Sequence, residues 1–126
     1  VHGMSRPIGA FFHVPHGLSN AMLLPEITAF SAPAALRRYA ECASAIGLAA
    51  AGEGDQATVA RLVDALRALN RDLDVPTPAR FGIDRARYFE IAPAMAAQAL
   101  ASGSPANNPR VPTAEEMVAL YARVFA

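Results

Sequence analysis

Among the side chains able to hold a metal or move a proton, two histidines stand out by their setting. His2 and His16 have thirteen residues between them, in the stretch His2-Gly-Met-Ser-Arg-Pro-Ile-Gly-Ala-Phe-Phe-His-Val-Pro-His16-Gly. A neutral imidazole offers one ring nitrogen to a borderline divalent ion. Zinc signatures place their ligands one helical turn apart or two residues apart in a knuckle, and a gap of thirteen is neither. A chain of that length spans up to roughly 46 Å when extended, so the spacing leaves both readings open, a joint pair or two unrelated side chains. The prolines between them make the joint reading possible. Pro7 and Gly9 predict the end of one helix and Pro15 the first turn of the next, which puts His2 on the last turns of the first helix and His16 on the first turn of the second. A helix–loop–helix return can then bring both rings to one point. His16, if buried, also needs partners for its ring nitrogens.

The elements that must position these residues read as helix and connection throughout. Ala10 to Val14, between Gly9 and Pro15, is the one short run with the look of a strand. The helix from Pro15 to about Phe30 carries apolar residues on several faces: Leu18, Met22 and Ala29 on one side, Leu23, Ile27 and Phe30 on another. That pattern predicts a central, buried helix, with a kink at Pro25. Ser31 is placed to cap a third helix with Leu36, Tyr39, Ala40, Ala43 and Ile46 inward, ending at Gly47. After a Gly- and Ala-rich loop, Asp55 caps a helix with Val59, Leu62, Val63, Leu66, Leu69 and Leu73 at spacings of three and four. Residues 75–82 form a connection. Asp84 opens a helix with Tyr88, Ile91, Met95 and Ala99 inward, which Pro93 kinks or divides. Residues 102–112 form a turn region rich in Gly, Asn and Pro, and Thr113 with Glu116 makes a capping box before Met117, Leu120, Tyr121 and Val124. The fold class is all-α, a compact bundle of five to seven helices.

Composition narrows the partners. The 126 residues balance eleven arginines against eleven acidic groups, with no lysine, for a net charge of zero. No basic stripe forms, so neither nucleic acid nor an anionic membrane is expected as a partner. No apolar run approaches the roughly 20 residues of a membrane span and no signal-peptide layout opens the chain, so a cytoplasmic location is expected by default. Cys42 is the one cysteine; its place between Leu36 and Ile46 reads as a small buried apolar residue, and an intrachain disulfide is excluded.

The frame His-Gly-Met-x-x-Pro-Ile-Gly-Ala-Phe-Phe-x-x-Pro-His-Gly-x-x-Asn-Ala-x-Leu-Leu-Pro, over about 25 ungapped residues, resembles the metal-site signature of the iron-containing alcohol dehydrogenases. Asn108-Pro109-Arg110 and the capped helix after it resemble the end of that family's C-terminal domain. The resemblance implies the C-terminal helical, metal-binding domain of a two-domain, dehydroquinate synthase-like fold across residues 1–126. It also implies that the N-terminal α/β nucleotide-binding domain lies outside them. It further implies that His2 and His16 coordinate a catalytic Fe2+ or Zn2+ with an Asp and a His from the preceding part of the protein, and that NAD or NADP is carried by the other domain. Hydride then passes between a small alcohol or aldehyde substrate and the nicotinamide, in an enzyme expected to be a homo-oligomer. The isolated chain is expected to bind metal weakly, to catalyse nothing and to self-associate through an uncovered apolar face.

Within that frame, Arg6 stands where many members have a His, one turn after the first ligand; an arginine stays protonated and cannot relay a proton. His13 is a candidate replacement relay. Phe11 and Phe12 are candidates to wall an alcohol pocket, with Arg6 beside it, and Ser104 is a candidate to approach the nicotinamide. Glu26 stands where a His is common, and an interdomain contact is its expected use. Met4 can be taken as a start behind a short artificial leader, which would make His2 incidental, but the frame matches on both sides of Met4. Two other outcomes stay open, a stand-alone non-catalytic helical interaction module and a related maleylacetate reductase or polyol dehydrogenase. The wording Pro15-His16-Gly17-Leu-Ser-Asn20 favours the alcohol dehydrogenase branch.

Overall fold

Helix α1, His2–Phe12, runs straight through Pro7 in the computed structural model, which describes residues 1–126. The predicted strand at Ala10 to Val14 is therefore the end of this helix and its turn, and His2 lies in the first turn of α1, where the prolines had placed it in the last. Pro7 forfeits a single intrahelical bond while α1 buries Met4 and Ile8 on either side of it, so the helix survives it. The turn itself is made by His13, left-handed at φ 55°, whose N–H bonds the Gly9 carbonyl at 2.9 Å.

Helix α2, His16–Ser31, passes through Pro25 without interruption and buries Met22, Leu23 and Ile27, as its all-round apolar pattern predicts. Ser31 does not cap the next helix. A single 3₁₀ turn, Ala32–Ala35, follows α2 before α3, Leu36–Ala45. The Ser31 hydroxyl is instead paired with Asn108, 77 residues away. On α3 only Ala40 and Ala43 are fully buried. Ile46 is 66% exposed and Cys42 is exposed too, which overturns the inward placement of both. Helix α4, Asp55–Asp72, starts one residue earlier than predicted, with Gly54 rather than Asp55 in the cap position, and buries Val59, Leu62 and Val63. Leu69 and Leu73 follow the same spacing yet are exposed, while Asn70 between them meets α2 through the Ala21 carbonyl. The loop before α4 is tied down by Glu53. Its carboxylate accepts from Arg61, the Ala50 N–H and Thr58, and these bonds, led by Arg61, hold it below the usual carboxylate range.

The connection at 75–82 contains one helical turn, α5, Pro78–Phe81, capped by Thr77. Helix α6, Arg85–Ala101, is capped by Asp84 as predicted and is not divided at Pro93. Residues 102–112 include a 3₁₀ turn, Ser104–Asn107. Helix α7, Ala114–Phe125, has the predicted capping box, and the Thr113 N–H that Glu116 accepts is the main reason the Glu116 carboxyl stays below its ordinary value. The architecture is all-α. Helices α1, α2, α6 and α7 enclose one core around Leu23, Met95 and Met117, while α3 and α4 form a hairpin laid on α2 with a smaller core of Ala32, Ala40 and Val59. No helix is long and apolar enough to cross a membrane.

Candidate metal centre

The connection between α1 and α2 decides where the two histidines meet. Helix α1 rises about 15 Å over its ten steps, and the four steps from Phe12 to His16 can cover about 13 Å when extended. The three-residue connection must therefore run back along α1. Gly9 makes room for it: a Cβ added there would lie 3.2 Å from the Val14 carbonyl oxygen. With Val14 buried in the core, the return is anchored and His16 opens α2 beside the first turn of α1. The His2 and His16 rings stand with centroids 4.9 Å apart and planes at 87°. Both side chains are exposed on this face.

Each histidine is carried on a turn held in the same way. Ser5 and Ser19 are fully buried, and each donates its hydroxyl to the carbonyl of the histidine three residues before it, at 3.0 Å. The signal for this in the sequence is a repeated His-Gly-x-Ser, His2-Gly-Met-Ser5 and His16-Gly-Leu-Ser19, which the spacing of the histidines alone does not reveal. Asn20 is a further member of the site: a spacing of four on a helix puts it on one face with His16, and its side-chain amide lies 3.1 Å from Nε2 of that ring. Within the chain no third His, Cys, Asp or Glu joins the pair to make a group of metal-ligand type. Two imidazoles from adjacent helix starts fit two corners of a divalent-ion shell, and other corners need groups from outside these residues.

A cleft of about 170 Å³ opens beside His2, lined among others by Met4, Ile27, Phe30, Ser104, Met117 and Leu120. The structure thus brings Ser104 and His2 together. The close approach is at Gly3, next to His2, where an added Cβ would sit 3.2 Å from the Ser104 Cβ and the Pro105 ring. The aromatic wall is Phe30, with the Arg110 guanidinium stacked 4.1 Å above its ring. Phe11 and Phe12 do not line this cleft: Phe11 is 36% exposed, and Phe12 packs into the core with its ring 5.7 Å from Tyr88. Arg6 lies in a separate groove between α1 and α6 with Gln98 and Ser102. His13 is exposed at the end of α1. Glu26, expected to reach outside the chain, is paired inside it with Arg67 of α4 at 2.8 Å; the α2–α4 packing puts a cation within its reach.

Beneath the site, Tyr121 donates its hydroxyl to the Met4 carbonyl at 2.8 Å, and Tyr88 donates to the Tyr121 carbonyl at 3.2 Å. These bonds fasten the first turn of α1 to α7 and α6.

Residues 1–125 match the family model for the Fe-containing alcohol dehydrogenase family, C-terminal. The chain is 37% identical over 121 residues to lactaldehyde reductase of Escherichia coli (strain K12), covering 96% of this chain and 31% of the relative. It is 30% identical over 125 residues to an NADPH-dependent butanol dehydrogenase of Clostridium saccharobutylicum, covering 98% and 32%. Among solved structures, a 1,3-propanediol oxidoreductase superposes with a TM-score of 0.88 at 27% identity, over 98% of this chain and 32% of that one. An iron-containing alcohol dehydrogenase from Thermococcus thioreducens does so at 0.80 and 30%, over 98% and 31%. The chain spans about a third of the length of the relatives it matches.

Proposed function

This chain belongs to the iron-containing alcohol dehydrogenase family, as its helical C-terminal domain, and from that premise we propose that His2 and His16 are two ligands of a catalytic divalent ion, Fe2+ or Zn2+. The enzyme they serve interconverts a small alcohol and its aldehyde or ketone with NAD or NADP. The observation that carries this is the approach of the two rings to 4.9 Å from positions at opposite ends of a helix and its return. The remaining ligands, the family's Asp and His, and the nucleotide-binding α/β domain come from outside residues 1–126.

When bound, the ion supplies Lewis-acid polarisation of the alcohol or carbonyl oxygen. The chain's own residues do the rest of the positioning. His2 and His16 present ring nitrogens from two turns locked by Ser5 and Ser19. Met4, Ile27, Phe30, Met117 and Leu120 wall the cleft beside His2 with apolar surface, which excludes water and seats a carbon chain. At about 170 Å³ the cleft suits a substrate of a few carbons, well below the several hundred Å³ typical of drug-sized ligands. The relatives named for lactaldehyde, butanol and 1,3-propanediol point to the same size class. Ser104, which lines the cleft, would lie against a nicotinamide carried by the other domain, and that cofactor would supply the hydride chemistry. His13 at the end of α1 is a candidate proton relay, and Arg6, one turn after His2, a candidate residue of the substrate pocket or of the surroundings of the metal site. A cytoplasmic homo-oligomer completes the reading.

The test is metal binding by the full-length protein. His2→Ala and His16→Ala should each weaken Fe2+ or Zn2+ binding, by anaerobic calorimetry, beyond the ~10–100-fold typical of losing a supporting partner of a ligand. Nicotinamide-linked alcohol oxidation should fall to background. Wild-type affinity in both variants would sink the proposal.

A further inference from the structure

A neutral imidazole has one lone pair, and that of His16 is already in use. The Asn20 amide places Nδ2 3.1 Å from Nε2 of the His16 ring. With the amide in this orientation its N–H donates, which makes Nε2 the acceptor and assigns the ring proton to Nδ1. The other half of the amide is poorly served: Asn20 Oδ1 is buried with no hydrogen-bond partner. A buried acceptor without a donor works against the arrangement, so the amide is held by the ring with little support from its own oxygen.

Resting on the reading of His16 as a metal ligand, we propose that Asn20 sets the affinity of that ligand by competing with a divalent cation for the ring's lone pair. A cation on Nε2 takes the electrons that the Asn20 N–H now shares. A cation on Nδ1 requires the ring proton to move to Nε2, which then faces the amide N–H donor to donor. Either route breaks the contact as it stands. The site therefore gives up one hydrogen bond for each cation it gains. His2 has no matching competitor, because the residue one turn after it is Arg6, whose guanidinium donors are carried into the groove against α6.

Asn20→Ala, and the near-isosteric Asn20→Leu, should raise the affinity of the full-length protein for Zn2+ and for Fe2+ (anaerobically) by roughly two- to tenfold, the net worth of one such hydrogen bond. Independently of any metal, long-range 15N–1H correlation on histidine-labelled protein should show wild-type His16 protonated at Nδ1, shifting to a mixture of tautomers in both variants. Weaker cation binding in both variants would mean that the amide supports the ring, and overturns the proposal. So does a wild-type His16 protonated at Nε2. His16→Ala separates the two levels. If it leaves affinity unchanged, the ligand reading itself fails; if it abolishes binding while both Asn20 variants bind like wild type, only the competition fails.

Discussion

His2 and His16 show how little a side chain's type says without its backbone. Each ring is exposed and ordinary; what makes the pair unusual is that a buried serine three residues on bonds the backbone of each, so two separate helix starts are rigid where the rings leave them. Glu26 and Cys42 carry the opposite lesson. Glu26 sits on a largely apolar helix and invites a functional reading, yet it has a guanidinium beside it, and a pair of that exposure contributes at most about 1 kcal/mol. Cys42 falls among apolar residues in the sequence, but the inward stripe of α3 is Leu36, Tyr39, Ala40 and Ala43, and residue 42 lies off it. Cys42 should therefore be alkylated by iodoacetamide in the native protein at the rate of an open thiol, read by peptide mass spectrometry. Cys42→Ser should change stability by no more than about 0.5 kcal/mol. Protection from alkylation until the protein unfolds would contradict the exposed placement.

At the scale of elements, three prolines lie inside helices α1, α2 and α6 and none of them ends its helix. A proline costs one backbone bond and some local strain, and buried contacts on the same helix outweigh that when the helix is held in a core. The punctuation that matters for the site is Gly9. Helix propensity favours alanine there by up to about 1 kcal/mol, yet the backbone of the return passes where a side chain would begin. Gly9→Val should destabilise the protein by about 1–3 kcal/mol, the usual cost of forcing extra atoms into a packed place. It should also weaken metal binding, because the return is pushed away from α1 and His16 from His2. Thermal unfolding and metal titration of the same sample check both; a variant that unfolds earlier but binds metal unchanged would separate Gly9 from the site.

For the molecule as a whole, the link between site and core runs through two fully buried tyrosines. Burial pushes the phenols of Tyr88 and Tyr121 well above their ordinary value, Tyr121 with a further push from Tyr88. Both are neutral in the native protein and donate to backbone carbonyls. In the unfolded chain a tyrosine ionises near pH 10. The raised folded value means that the unfolded state sheds protons first as pH climbs. The tyrosine contribution is thus complete below about pH 10 and is lost progressively above it. Thermal midpoints should be level in this respect up to about pH 9.5 and drop steeply toward pH 11.5. Tyr121→Phe should flatten that drop while lowering the midpoint at neutral pH, since the Met4 carbonyl loses its partner. An equally steep drop in Tyr121→Phe would place the alkaline transition elsewhere.

The sequence by itself determined the all-α class, the central burial of α2, the caps at Asp84 and Thr113, and the inward faces of α6 and α7. These follow from local periodicity and turn chemistry acting over one or two helical turns. Through its ungapped frame it also singled out His2 and His16 as a pair and pointed to the family. Only the tertiary structure decided that their rings meet, that Phe30 rather than Phe11 or Phe12 walls the cleft beside them, and that Ser31 serves Asn108 and Glu26 serves Arg67. Those outcomes depend on which helix lies against which. A residue's spacing shows which face of its own helix it occupies, but what faces it across the gap is set by the packing of segments tens of residues away.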